Sequence, residues 1–322
     1  MRFARRFAAS FLVAAPLVFA ACDTAEPLPD DGFVDVPGGR VAFRVIGDGD
    51  GTPFLIIHGG PGGSSCIFPA TLTGVAQSRP VVMYDQLGAG HSDRMTDFER
   101  HGVLSRFVSE VAAIRAELGL QELHLAGHSW GAAVALEYLL TGDPTGVHSV
   151  TFIGPFLSTR RWLQDAHALV ETLPEDVRAA VGTSTATGDY ATPEFKAANQ
   201  VFMAEFFSRG PQDYNELPEC LTDPLRFNVD LYEYMWGPSE FVSTGTLRDY
   251  DRVDRLPELD IPTMFLVGQY DEARPETMAE FQALVPGSVV NVIPEAGHLV
   301  NVDQPEAFNE AIAEFLASVE EP

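Results

Sequence analysis

The segment Leu123-His124-Leu125-Ala126-Gly127-His128-Ser129-Trp130-Gly131 passes from a short apolar run into a Gly-x-Ser-x-Gly turn, and residues 130–140 behind it read as a helix. A serine at the apex of such a strand–turn–helix sits in a strained backbone conformation, and small residues on either side keep the flanking chains from colliding. The hydroxyl then stands exposed above a helix N-terminus, which makes Ser129 a candidate nucleophile. Outward from this turn, residues 53–57, 81–84 and 150–153 are apolar runs without alternation, as strands buried on both faces require. Residues 103–118 carry Val108, Val111, Ile114 and Leu118 at helical spacing, and a helix is predicted around 70–77. Alternating strands and helices imply a mostly parallel sheet with helices on both faces. Upstream, residues 32–36 and 40–46 flank Pro37-Gly38-Gly39 and read as a hairpin.

From about residue 155 to 246 the alternation stops. Helical stretches rich in Phe, Tyr and Trp replace it, with no convincing buried strand. Strand and helix patterns return at 262–267, 275–284, 289–293 and 305–319. The inserted segment therefore reads as a helical cap over the sheet's C-terminal edge, where open α/β sheets bind ligands. Serine is a weak nucleophile near neutral pH and needs a base that a third group orients. Val267-Gly268-Gln269-Tyr270-Asp271 carries a carboxylate just past one strand end, and Glu295-Ala296-Gly297-His298 an imidazole past the next. Asp271 and His298 would thus reach the edge that bears Ser129. Asp254, Asp260 and Glu272 read more simply as surface carboxylates of an acidic chain. The loop His58-Gly59-Gly60-Pro61-Gly62 follows the strand at 53–57. It brings the Gly60 amide, together with that of Trp130, to where an oxyanion would form, and one such donor is worth about 3 kcal/mol in the transition state.

The chain has 322 residues, 46% of them hydrophobic, which suffices for a full core. Its 20 Lys+Arg against 46 Asp+Glu give a formal charge of −26, which argues against nucleic acid and against docking on anionic lipid. No His or Cys spacing suggests a metal site. At the N-terminus, Arg2, Arg5 and Arg6 precede an apolar run over 7–21, too short to span a bilayer comfortably. Phe19-Ala20-Ala21-Cys22 resembles a bacterial lipobox, in which Cys22 would be lipidated after removal of 1–21; an ordinary secretory signal cut near Ala21 is the alternative. Residues 22–31 then read as a tether. Both readings export the protein, to the periplasm or the cell surface. An oxidising compartment would permit a bridge between Cys66 and Cys220, and their positions alone equally allow two separate thiols.

Four motifs taken together are similar to those of the proline iminopeptidase family: His58-Gly59-Gly60-Pro61-Gly62, Asp85-Gln86-Leu87-Gly88-Ala89-Gly90-His91-Ser92, Gly127-His128-Ser129-Trp130-Gly131 and Gly268-Gln269-Tyr270-Asp271. The resemblance runs from about residue 32 to the C-terminus, with His128 where Gln is frequent and Ala132 in place of a frequent Gly. It implies an α/β-hydrolase fold, with the core at 32–154 and 247–322 and the cap at 155–246, and the order nucleophile, acid, histidine matches that fold. The implied activity is a cofactor-independent serine aminopeptidase acting through an acyl-enzyme. Its substrates would be short peptides or amino-acid amides with a free N-terminus, beginning with proline or another small or apolar residue. In the cap, Trp236-Gly237-Pro238-Ser239-Glu240-Phe241 is similar to the family segment whose glutamate grips the substrate's α-ammonium group, and Leu217-Pro218-Glu219 resembles one carrying a second such glutamate. A protonated amine in a partly desolvated pocket needs such partners. Tyr234, Trp236, Phe241 and Phe206 could wall a side-chain pocket, although aromatics in a cap are more often its core. An esterase or lactonase on the same scaffold, or a non-catalytic binding lipoprotein, are the competing readings. Halide and epoxide chemistry is disfavoured, because those relatives place Asp where Ser129 stands.

Overall fold

The computed structural model describes residues 28–210 and 227–321. Eight strands form one sheet: β1 (Asp31–Val36), β2 (Gly39–Ile46), β3 (Phe54–Ile57), β4 (Val81–Tyr84), β5 (Leu123–His128), β6 (Val147–Ile153), β7 (Thr263–Gly268) and β8 (Val289–Ile293), in the order β1-β2-β4-β3-β5-β6-β7-β8. The β1–β2 hairpin adds antiparallel to β4, and every later pairing is parallel. Leu28 already packs against the core, and the Asp30 carbonyl accepts the Val45 amide at 2.7 Å, so both residues of the expected tether are engaged with the sheet domain.

Alternate residues of the central strands serve two separate cores, as the two-residue period of a strand dictates. Leu55 and Ile57 of β3, Val82 and Tyr84 of β4, and Phe265 and Val267 of β7 join one cluster with α1 (Leu104–Glu117), α2 (Trp130–Thr141) and Pro275–Leu284. Phe54, Ile56, Val81, Met83, Met264 and Leu266 face the other way, onto the helix Pro305–Glu320. Apolar runs without alternation were therefore the right signature for these strands. The edge strand β8 is buried only at Ile293.

The helix predicted around 70–77 is instead two short turns, Phe68–Thr71 and Val75–Gln77. A distant side chain breaks it. The Asn309 carboxamide donates to the Thr71 carbonyl at 2.7 Å and accepts the Val75 amide at 3.0 Å, and a Cβ on Gly74 would lie 2.7 Å from Asn309 Cβ.

Between β6 and β7 the described cap residues form α3 (Thr159–Val170), α4 (Glu175–Thr187), α5 (Pro193–Phe202), which runs into Met203–Phe207, and α6 (Val229–Met235). The cap has its own core of Ala166, Val170, Val181, Phe195, Phe202, Phe206 and Phe241. Phe156, Trp162, Leu231, Met235 and Trp236 belong to the main core instead, so the cap is rooted in the sheet domain at both ends. Among the described residues no helix is long and apolar enough to cross a membrane.

Candidate active site

Ser129 has φ 54° and ψ −120°, a region that costs a non-glycine residue about 1–3 kcal/mol. Its neighbours hold it there. The Ser129 amide donates to the Ile153 carbonyl at 2.8 Å, while its carbonyl accepts the amides of Ala132 and Phe156. A Cβ on Gly131 would collide with the carbonyl oxygens of Ile57 and His58, so the glycine allows the first turn of α2 to lie against the end of β3. Trp130 opens α2, where backbone amides have no partner within the helix.

Asp271 and His298 follow β7 and β8. His298 Nδ1 stands 2.8 Å from Asp271 Oδ1, and both residues are almost fully buried. Gly154, at φ +47°, makes room for the pair, since a Cβ there would lie 2.8 Å from His298 Nδ1 and 2.9 Å from Asp271 Oδ2. The cap holds the same loop: the His298 amide donates to the Phe206 carbonyl at 2.8 Å and the Leu299 amide to that of Phe207 at 2.7 Å. Asp303 accepts from the amides of Gly297, Arg209 and Gly210 and from the Ser208 hydroxyl, at 2.7–2.9 Å. His128 lies against the His298 ring, centroids 4.7 Å apart, with Nε2 3.1 Å from the His298 carbonyl. Burial, followed by the His298 charge, pushes its pKa down to about 3. His128 is therefore neutral and donates through Nε2.

The loops after β3 and β4 are tied together by Gln86, which is fully buried. Its side chain donates to the His58 carbonyl at 3.0 Å and accepts the Trp130 indole N–H at 2.8 Å, while its own amide donates to His58 Nε2 at 3.0 Å. One side chain thus links the loop bearing Gly60 to Trp130, the residue after Ser129. The sequence placed Gln86 within the motif at 85–92 but gave it no role, because its partners lie 28 and 44 positions away.

Ser129, His298, Gly60 and Trp130 line a single cavity of about 520 Å³ under the cap, walled by Phe156, Trp162, Tyr232 and Trp236. Of the four aromatics considered from sequence, only Trp236 lines it; Phe206 and Phe241 form cap core, and Tyr234 packs on Phe98. Glu240 reaches this cavity, where Tyr232 Oη donates to its Oε1 and Trp162 Nε1 to its Oε2 at 3.2 Å. Glu272 corrects the surface reading: it is buried, lines the same cavity, and its Oε1 stands 3.8 Å from His298 Nε2. Its Oε2 is buried without a hydrogen-bond partner among the described residues. Sequence reasoning missed it because a carboxylate next to a candidate catalytic acid cannot be told from a surface one until the cap is in place. Glu219, Cys22 and Cys220 lie outside the described residues. Cys66 is disulfide-bonded, to a partner also outside them.

The cavity is electrostatically lopsided. Burial raises the carboxyls of both Glu240 and Glu272, and the Glu240 charge raises Glu272 further. Burial alone would lower the His298 imidazole, but the charges of Asp271, Glu272 and Glu240 together overcome it and bring its pKa to about 9. Among the described lining residues there is no Lys or Arg. Such an arrangement can carry acyl transfer from a substrate that brings its own positive charge. No group of His, Cys, Asp and Glu among the described residues is arranged to hold a metal ion.

A serine that shares its cavity with the histidine of a buried His–Asp pair, at the C-terminal edge of a parallel sheet and under a helical cap, defines a serine hydrolase of the α/β-hydrolase class, and residues 52–305 match the model of that fold family. The chain is 41% identical to the proline iminopeptidase of Heyndrickxia coagulans over 90% of its own length and 99% of the relative's, and 36% identical to that of Levilactobacillus brevis over 87% and 93%. It superposes on the crystal structure of the Mycobacterium smegmatis proline iminopeptidase with a TM-score of 0.81 at 27% identity, covering 90% of this chain and 98% of that one. The chain belongs to the proline iminopeptidase family of serine aminopeptidases.

Proposed function

We propose that this aminopeptidase releases a proline or other small or apolar first residue from short peptides or amino-acid amides, through an acyl-enzyme on Ser129. In this reading Ser129 Oγ attacks the carbonyl of the first residue and His298 Nε2 takes its proton. Asp271 fixes the imidazole, and the amides of Gly60 and Trp130 bind the oxyanion. His298 then protonates the departing amine, and water hydrolyses the ester. The observation that carries the reading is the pair of carboxylates, Glu240 and Glu272, that share the cavity of Ser129 without any Lys or Arg among its described lining residues. A free α-ammonium is the charge they lack, and the sheet and cap hold them at a fixed reach from the nucleophile, as an exopeptidase requires.

The test is a kinetic panel of aminoacyl-arylamides with N-acetylated counterparts. Wild type should cleave only the free amines. Ser129→Ala should lose about 10⁵–10⁶ in kcat, and Glu240→Gln should lose kcat/KM selectively for amine substrates. Equal turnover of acetylated substrates would favour an esterase instead. We further propose export with a lipid on Cys22, a reading supported by the residue 1–22 pattern and by the disulfide at Cys66, which suits a non-reducing compartment. Labelled palmitate should enter the wild type and not Cys22→Ser; equal labelling would refute it.

A further inference from the structure

Deep in the cavity, His298 faces acidic side chains from two directions. Asp271 and Glu272 approach from the loop after β7, at 2.8 Å from Nδ1 and 3.8 Å from Nε2, and Glu240 acts from the cap. The remaining groups packed on the ring carry no compensating charge: His128 is held neutral, and Trp162 and Phe207 present aromatic rings with centroids 5.6 Å away. His58, which borders the same cavity, is buried and its pKa is lowered, by burial first. The imidazolium is thus the only cation available to Glu240 and Glu272 among the described lining residues. A protonated His298 cannot accept the Ser129 proton.

We propose that the substrate's α-ammonium group, on entering beside Glu240 and Glu272, replaces the His298 imidazolium as their counter-cation and thereby turns His298 into a base. The inference rests on the ammonium-binding reading above and extends it: the amine is required for the chemical step as well as for binding. The Nε2 proton of the imidazolium leaves to solvent as the ammonium arrives. Neutral Nε2 then takes the Ser129 hydroxyl proton as the Oγ–carbonyl bond forms, and returns that proton to the leaving amine as the C–N bond breaks. A ligand of the same shape without the amine would leave His298 protonated at neutral pH.

His298 protonation can be followed directly by the NMR shift of its ring Cε1 proton, assigned by comparison with His298→Gln, in Ser129→Ala protein. Free protein should titrate near the elevated value of about 9. Saturation with alaninamide should lower the midpoint by about 1–3 pH units, the range a charge at contact distance produces. Propionamide, which lacks the amine, should not. Glu272→Gln should lower the midpoint of the free protein and shrink the alaninamide shift; if that variant does not fold, the Ser129→Ala titrations still decide. Alaninamide that binds without moving the midpoint overturns the proposal and leaves the ammonium site standing. Alaninamide that binds no better than propionamide overturns both.

Discussion

At the scale of single residues, the strain at Ser129 is held by contacts that can be removed one at a time. Gly131→Ala would put a methyl group into the carbonyl oxygens of Ile57 and His58. Overpacking of this kind costs about 1–3 kcal/mol, so the urea midpoint should fall, and kcat should fall with it as Ser129 is displaced. An unchanged midpoint would show that the end of β3 yields without cost. The placement of Ser129, Asp271 and His298 at one edge of the sheet was legible in the sequence because each follows a strand end, where local pattern and position coincide. Glu240 was legible only through the motif around it. Glu272 was not legible, because its burial is created by the cap, which lies far from it along the chain.

At the scale of elements, the two loops that carry the proposed oxyanion donors depend on each other through Gln86. Gln86→Leu keeps the volume but removes the acceptor for the Trp130 indole and the donor to the His58 carbonyl. A buried group left without its partner costs about 1–3 kcal/mol, so the melting temperature should drop. Because Gly60 and Trp130 would lose alignment rather than disappear, kcat should fall by less than the ~10²–10³ that loss of an oxyanion donor costs, with KM little changed. A raised KM at unchanged kcat would instead assign Gln86 to substrate binding. The broken segment at 70–77 follows the same logic in reverse: local sequence favoured one helix, and Asn309, 234 positions away from Val75, imposed two turns. Strands buried on both faces advertise themselves in sequence; interruptions made by remote side chains do not.

At the scale of the whole molecule, the chain's last helical turn is fastened to the sheet edge opposite the site. Arg79 donates two hydrogen bonds to Glu320, at 2.7 and 2.9 Å, and His124 of β5 lies 3.1 Å from the same carboxylate and 2.8 Å from the Ser149 hydroxyl. The Arg79 hydrogen bond, then that of His124, holds Glu320 down to about 2, against an ordinary value of 4.5. Between those values the unfolded chain takes up a proton that the folded one refuses. The contribution of Glu320 is therefore complete above about pH 4.5 and is lost as pH falls toward 2. Glu320→Gln should flatten the decline of the urea midpoint between pH 5 and 3, with a modest amplitude because the carboxylate is partly exposed. A decline as steep as that of the wild type would assign acid sensitivity to other groups.

The hydrogen bonds from His298 and Leu299 to the carbonyls of Phe206 and Phe207, together with the knot at Asp303, bear on how this enzyme could be re-engineered. A cassette spanning 155–246 taken from a relative would arrive without its matching 297–303 strip, and the imidazole would inherit the mismatch. Transplanting the cap wholesale should therefore cripple turnover even where the new wall fits its ligand, whereas replacing wall residues singly, at Phe156 or Tyr232, leaves that fastening untouched.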